Sequence, residues 1–384
     1  RKPTSKSPAK VLLAEIAEMK ATGKHEVSFT LKGGDADMPY LVADYHLCIG
    51  PEGTNFTDGI GTGAFLLEKF EPGVRGQTKR NPHYWQSGRP YVDSVETLAI
   101  NDTTARISAL MSGAVDLINR VPADSVALLK GSPRVQIFEI AGAAYNTFPM
   151  RCDMAPFTNN DVRLALKWGL DRKTILDKVL VGHGKIGNDQ PIPSFNEFYA
   201  ADIPQYVYDP DKAKFHLKKS GYSGGFVLNV SDTAFGGAVD AGGIFQQNLA
   251  KAGINLQVKR VPSDGYWDNV WMKVPLCASY WDGRPTADQI LSTTFAANAP
   301  WNESSWKNAK FNQLLLAARA ELDQAKRKQM YHDMQLIVHD DCGDMVPMFD
   351  NTIDGGSSKV KGFVQRPILQ LAGYRAPEMV WLEG

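Results

Sequence analysis

The chain has 384 residues, more than one hydrophobic core usually serves, so two lobes are expected. Apolar residues make up 43% and charged residues 22%, the balance of an ordinary globular protein. Forty-two Lys and Arg cancel 42 Asp and Glu, which excludes the basic excess that a nucleic-acid or anionic-membrane surface needs. No apolar run approaches the ~20 residues that span a bilayer. The opening RKPTSKSPAK has no apolar region of the kind a secretory signal carries.

Along the chain, strand and helix signals alternate. Residues 11–19 read as a helix with Leu12, Ile16 and Met19 on one face. In HEVSFTL, residues 25–31, Val27, Phe29 and Leu31 alternate with polar residues as a half-buried strand does. Gly59, Gly61 and Gly63 suggest a phosphate loop, but FLLEKFEPG follows them as a strand and turn, so a structural turn is preferred. Asp102 or Thr103 caps a helix bearing Ile107, Leu110, Met111 and Ala114, with Gly113 at its exit. A stripe of Val162, Ala165, Leu166, Gly169 and Leu170 predicts a helix capped by Asn160 or Asp161. A second apolar group, Ile175, Leu176, Val179 and Leu180, ends at Gly182.

The clearest local signal begins at Asp209, a helix cap with Pro210 in the first turn and Gly221 at the end. Phe226, Leu228 and Val230 then alternate as a strand. A second unit follows, with Ile244, Phe245, Leu249 and Ala252 leading through Gly253 to Ile254, Leu256 and Val258. Two successive helix–strand units predict an α/β lobe. Two helices are expected over residues 311–340. Phe311, Leu314, Leu315, Ala318 and Leu322 mark the first, and Asp323 caps the second, where Tyr331, Met334, Ile337 and Val338 face inward. A short buried strand is expected at 345–349.

Catalytic signatures are absent: there is no GxSxG, HExxH, Walker A or GxGxxG motif. His332 and His339 stand ~10 Å apart along one helix, too far for a shared metal ion, so Asp333, Asp340 and Asp341 read as a solvated face. Cys48, Cys152, Cys277 and Cys342 have no metal-site spacing; they allow disulfides, or serve as small buried hydrophobes. Neither a cofactor nor a metal is expected. One cluster has the chemistry of a ligand grip: Tyr280, Trp281, Asp282, Gly283, Arg284 and Pro285, after the apolar run 274–278. A carboxylate accepts from an ammonium, a guanidinium holds a carboxylate through two parallel bonds, and an aromatic face covers apolar groups. A plain turn closed by a local Asp282–Arg284 pair is the alternative.

Four blocks, in order, resemble family 5 extracellular solute-binding proteins of ABC importers, which include dipeptide-, oligopeptide- and nickel-binding proteins. They are GTGAFLLEKFEPGVRGQTKRNPHYW at 61–85, TARISALMSGAVDLI at 104–118, PFTNNDVRLALKWGLDRKTILDKVLVGHG at 156–184 and YDPDKAKFHLKKSGY at 208–222. The resemblance implies an α/β, two-lobed periplasmic-binding-protein-like fold, type II and cluster C-like, with a ligand cleft between the lobes. Lobe one would span 1–148 with a C-terminal return at 345–384, and lobe two 149–344. The hinge crossings would lie side by side at 144–150 and 345–349. Family members carry a further N-terminal segment, and this chain opens within the small extra domain.

The family likeness also implies function. The protein would be a periplasmic or cell-surface monomer that carries a short peptide or zwitterionic solute to ABC permease subunits. An opine, an oligosaccharide held by Trp281, Trp301 and Trp306, or a nickel or haem chelate are alternatives, and an enzyme on this scaffold is the reading from another class. Peptide-binding members place an acidic residue in the turn, so Asp282 and Asp288 are both candidates for a ligand ammonium, with Arg284 for a carboxylate. Tyr45, His46 and Asn146 are the lobe-one candidates. At most one disulfide is expected, joining Cys277 and Cys342 within lobe two.

Overall fold

The computed structural model describes residues 13, 15–44, 47–54 and 58–384. Its first element corrects the sequence reading. Residues 16–19, expected in a helix, belong to strand β1 (Ile16–Gly23), which pairs antiparallel with β2 (Glu26–Leu31). Residues 11 and 12 lie outside the described residues. Ladder pairing with β2 overrides the local helical spacing, because strand preference is set by neighbours more than by the residue itself. The hairpin is not half-buried either: Val27 and Phe29 are both exposed. Helix α1 (Met38–Val42) follows, its Asp37 held by Arg327 at 2.7 Å. The glycines at 59–63 lead into a three-stranded meander of β3 (Phe65–Glu71), β4 (Arg75–Arg80) and β5 (Ser94–Leu98), as the strand-and-turn reading expects.

Helix α2 (Thr103–Ser112) starts where Asp102 accepts the Ala105 N–H at 2.7 Å. Strand β6 (Leu117–Ile118) and helix α3 (Val126–Lys130) come next. The long strand β7 (Val135–Pro149) leads to α4 (Asn160–Trp168), α5 (Arg172–Val179) and β8 (Gly184–Ile186). The cap of α4 is Asn159, one residue before the expected Asn160 or Asp161; its side chain accepts from the Asp161 N–H. Helix α6 (Pro210–Ser220) begins and ends as expected, with Asp209 accepting from Lys212 and Gly221 at φ 74°, a conformation that favours glycine. Strand β9 (Phe226–Val230), helix α7 (Ala238–Lys251) and strand β10 (Leu256–Arg260) complete two helix–strand units, and β9 and β10 pair in parallel.

After α8 (Tyr266–Asn269) come β11 (Ser279–Trp281), α9 (Ala287–Thr294), α10 (Ala309–Ala320) and α11 (Gln324–Asp341). Asp323 caps α11 by accepting from the Lys326 N–H, but Leu322 lies beyond α10 and is 78% exposed. The expected short strand at 345–349 is part of a 14-residue strand, β12 (Asp344–Ser357).

Strands β7 and β12 form the spine. They pair antiparallel from Pro149 opposite Asp344 to Val135 opposite Ser357, within a sheet ordered β11-β7-β12-β6. At one end, Val135 and Ile353 join a small core with Leu110, Ile118, Val126 and Leu129. At the other, Phe148, Met345 and Met348 join a larger core between α4, α5, α7 and the β9–β10 pair. A third core gathers α9, α10 and α11 around Tyr145, Trp281 and Phe349. Midway the pairing is irregular: Phe349 faces Tyr145, but Asn351 faces Ala141. Residues 142, 143 and 144 therefore bulge opposite Asp350 alone, a device common beside binding sites.

Cys152, Cys277 and Cys342 are free thiols, so the expected Cys277–Cys342 bridge is not formed. Both residues are buried, but they belong to different cores, which is why a shared location in one lobe does not bring their sulfurs together. Burial pushes both thiols well above the ordinary cysteine value, so both are inert hydrophobes at neutral pH.

Candidate ligand-binding site

Strand β11 is the outermost strand of the spine sheet, with Trp281 opposite Tyr145, Tyr280 opposite Asn146 and Ser279 opposite Thr147. Alternation sends neighbouring side chains to opposite faces. On the inner face Trp281 is only 6% exposed and sits in the core. Its indole Nε1 donates to Glu303 at 2.9 Å, and Trp271 Nε1 and Thr147 Oγ1 donate to the same carboxylate at 2.6 and 2.8 Å. Burial raises the Glu303 pKa, and the two indole bonds pull it back. Trp281 thus serves as an internal support for the strand, with its ring turned away from solvent. Trp306, weighed above as a sugar-stacking residue, is likewise buried and donates to Asp341 at 2.8 Å.

The outer face differs. Tyr280 is 38% exposed and meets Trp267 edge-on at 5.7 Å. Its register partner Asn146 is buried and donates from Nδ2 to Asp350 at 2.6 Å. Burial pushes the Asp350 carboxyl up to about 7, against the stabilising Asn146 bond. Asp350 forms no ion pair with any described residue.

Past Trp281 the chain turns through 282–285 into α9, which Thr286 caps by accepting from the Gln289 N–H at 3.2 Å. Gly283 is required here, since a Cβ at that position would lie 2.4 Å from the Ala143 Cβ. The turn therefore rests directly on the β7 bulge. Arg284 curls back so that Nη1 donates to the Asp282 carbonyl at 3.0 Å. Its guanidinium meets no carboxylate among the described residues, so the expected alternative of a closed Asp282–Arg284 side-chain pair does not form. With Ala143, Ile192, Pro193 and Asn196, Arg284 lines a small cavity. Asp282 is half-buried beside Tyr374, whose hydroxyl its charge helps hold up after burial, the larger cause.

Asp288 is already engaged. It is buried on α9 with both carboxylate oxygens 3.2 Å from Arg319 Nε, and burial raises its pKa more than Arg319 lowers it. Tyr45 and His46 lie outside the described residues. Among the described residues no group of three His, Cys, Asp or Glu side chains is placed to hold a metal, and no helix is long and apolar enough to cross a membrane. The structure thus brings Tyr280, Asn146, Gly283 and Arg284 around one bulge and adds Asp350, Trp267 and Glu303, which sequence reasoning missed. For Asp350 a signal existed: an acid directly follows the apolar run 345–349.

A two-lobed solute-binding fold is what the comparisons identify. Residues 1–328 match the family described as bacterial extracellular solute-binding proteins, family 5 Middle. The chain belongs to the family 5 extracellular solute-binding proteins. It is 28% identical over 355 residues to heme-binding protein A of Haemophilus influenzae, covering 89% of this chain and 63% of that protein. To the dipeptide-binding protein of Escherichia coli it is 24% identical, over 92% of this chain and 70% of that protein. Among solved structures, the periplasmic binding protein DppA from Helicobacter pylori, in complex with peptide STSA, aligns with a TM-score of 0.83 at 24% identity. That match covers 98% of this chain and 76% of the other. AgaA from A. tumefaciens R10, in complex with agropinic acid, aligns with a TM-score of 0.85 at 22% identity, over 100% and 81%.

Proposed function

We propose that this chain binds a short peptide or a peptide-like zwitterion outside the cytoplasm and presents it to the permease subunits of an ABC importer. The observation that carries this reading is the half-exposed Tyr280 on β11, the end strand of its sheet, which runs into a turn bearing an arginine without a carboxylate partner among the described residues. An edge strand offers unpaired backbone groups that an extended peptide can complete as an added strand. A guanidinium at its end takes a carboxylate through two parallel bonds. The half-exposed Tyr280 and Trp267 rings cover apolar parts of the solute. The ammonium of the solute then needs a carboxylate nearby.

The relative named as a dipeptide-binding protein and the neighbour in complex with peptide STSA support a peptide, and the neighbour in complex with agropinic acid supports a small solute bearing a carboxylate. Mass spectrometry of solute released from denatured, freshly purified protein identifies the ligand directly. Calorimetry with that solute should then show Arg284→Ala weakening affinity by about 100-fold, the effect of stranding an enclosed carboxylate. Recovery of a solute that lacks any anionic group, or an unchanged affinity in the variant, would remove the reading.

A further inference from the structure

The acidic half of the site lies deeper than the turn. Asp350 has a setting that Asp282 lacks. It stands alone opposite the three-residue bulge 142–144, at the point where the spine sheet loses its regular register. The bulge brings Gly142 so close that a Cβ there would lie 2.3 Å from the Asp350 carbonyl oxygen. One oxygen of its carboxylate is fixed by the Asn146 amide at 2.6 Å, while the residue keeps partial exposure. It also shares its face of the sheet with Tyr280, through the Tyr280–Asn146 register pair.

The neighbours of Asp350 supply no cation. On β7, Glu139 accepts from Asn351 at 2.7 Å and pairs with His183 at 2.7 Å, so that acid and that histidine satisfy each other. Lys185 on β8 is exposed. Leu176 of α5 and Leu180 just beyond it lie against Gly184, the β8 residue opposite Asp350. A carboxylate held in a low-dielectric setting without a counter-charge is costly unless a cation arrives. Arg284 approaches the same bulge from its other flank, through the Gly283–Ala143 contact.

We infer that Asp350, oriented by Asn146 opposite the β7 bulge, receives the ammonium group of the bound solute while Arg284 takes its acidic end. This rests on the binding of an amine-bearing solute proposed above. Enclosure makes such an ion pair stronger than one at the rim, and the Asn146 amide holds one carboxylate oxygen in place before the solute arrives. Ammonium binding needs the ionised acid, so affinity should rise with pH through about 7, the value to which burial pushes this group.

The test uses the full chain and two probes: an equimolar mixture of the 400 dipeptides, and the same mixture after N-acetylation. Retained species are read by mass spectrometry and their affinities by calorimetry. Wild-type protein should retain free-amine dipeptides and reject the acetylated ones. Asp350→Asn should bind them at least about 100-fold more weakly, with Asp282→Asn changed far less. Asn146→Leu, which keeps the acid but removes its amide donor, should bind the free-amine dipeptides more weakly at pH 6, with the deficit shrinking toward pH 7.5, still below the α-amino pKa of about 7.7–8.0. That variant keeps the inference testable if Asp350→Asn folds poorly. Equal retention of free and acetylated peptides by the wild type, or wild-type affinity in Asp350→Asn, overturns the role of Asp350 while leaving solute binding intact. Retention of neither mixture overturns the proposed function itself, and this inference with it.

Discussion

At the scale of single residues, the interior carries acids that are not there for stability. Asp344 is fully buried at the start of β12, and its Oδ1 has no hydrogen-bond partner. Burial holds its pKa well above the usual range, and the nearby Glu303 carboxylate raises it further. An acid whose folded pKa is raised contributes stability that is fully present below its unfolded pKa of about 3.9 and is lost as pH rises through the folded value. Asn in its place has no charge to bury. Asp344→Asn should therefore be more stable than the parent at pH 8, by about 1–3 kcal/mol, with the advantage shrinking toward pH 5. Thermal unfolding at the two pH values checks this. A difference that does not depend on pH would show that Asp344 is neutral, or well solvated, throughout.

At the scale of elements, the segment after β12 holds a strained turn. Leu371, Ala372, Gly373 and Tyr374 have φ values of 48°, 57°, 74° and 62°, a full turn of left-handed backbone. The Tyr374 N–H donates to the Gln370 carbonyl at 2.8 Å, and the Leu371 N–H donates to the buried Asp354 carboxylate at 2.6 Å. Asp354 also accepts from the Arg120 N–H at 3.2 Å and from Gln365 at 2.8 Å, so one carboxylate fastens three segments. Left-handed backbone costs L-residues roughly 1–2 kcal/mol each, which only such anchoring offsets.

Two glycines isolate that backbone effect. Gly373 and Gly243 both have open space where a Cβ would go, but Gly373 is left-handed and Gly243 lies inside α7. Gly373→Ala should destabilise by about 1 kcal/mol, whereas Gly243→Ala should stabilise by about 0.5–1 kcal/mol. Denaturant titration of both variants gives the signs. Two changes of the same sign would mean that side-chain packing, not φ, governs these positions.

For the whole molecule, we propose that the two lobes, 1–148 with 345–384 and 149–344, move about the paired stretch of β7 and β12 near 144–150 and 345–349. The support is that Asn146 faces Met348 and Phe148 faces Met345 in one antiparallel ladder, so both crossings would bend together. Lobes that close on a solute about a hinge compact the molecule. Small-angle scattering should give a monomer mass with and without the dipeptide mixture, and a smaller radius of gyration with it. A dimer, or an unchanged radius at saturating solute, would count against this mechanism.

Local chemistry was enough to specify the elements whose bonds are short-range. Asp209, Pro210 and Gly221 delimit α6 because each acts within a few residues of itself, and the β9–α7–β10 pattern follows from apolar spacing alone. The same short reach explains the failures. Residues 16–19 have helical spacing, yet their partner strand wins, and no local signal reports which segment will pair. The site depends on still longer pairings. Asn146 meets Asp350 across 204 residues, and Thr147 meets Glu303 across 156. The sequence could nominate the Tyr280–Arg284 turn from its residue types. Only the tertiary structure could turn Trp281 inward, occupy Asp288 with Arg319 and set Asp350 beside the bulge, because strand register and burial are decided by non-local packing.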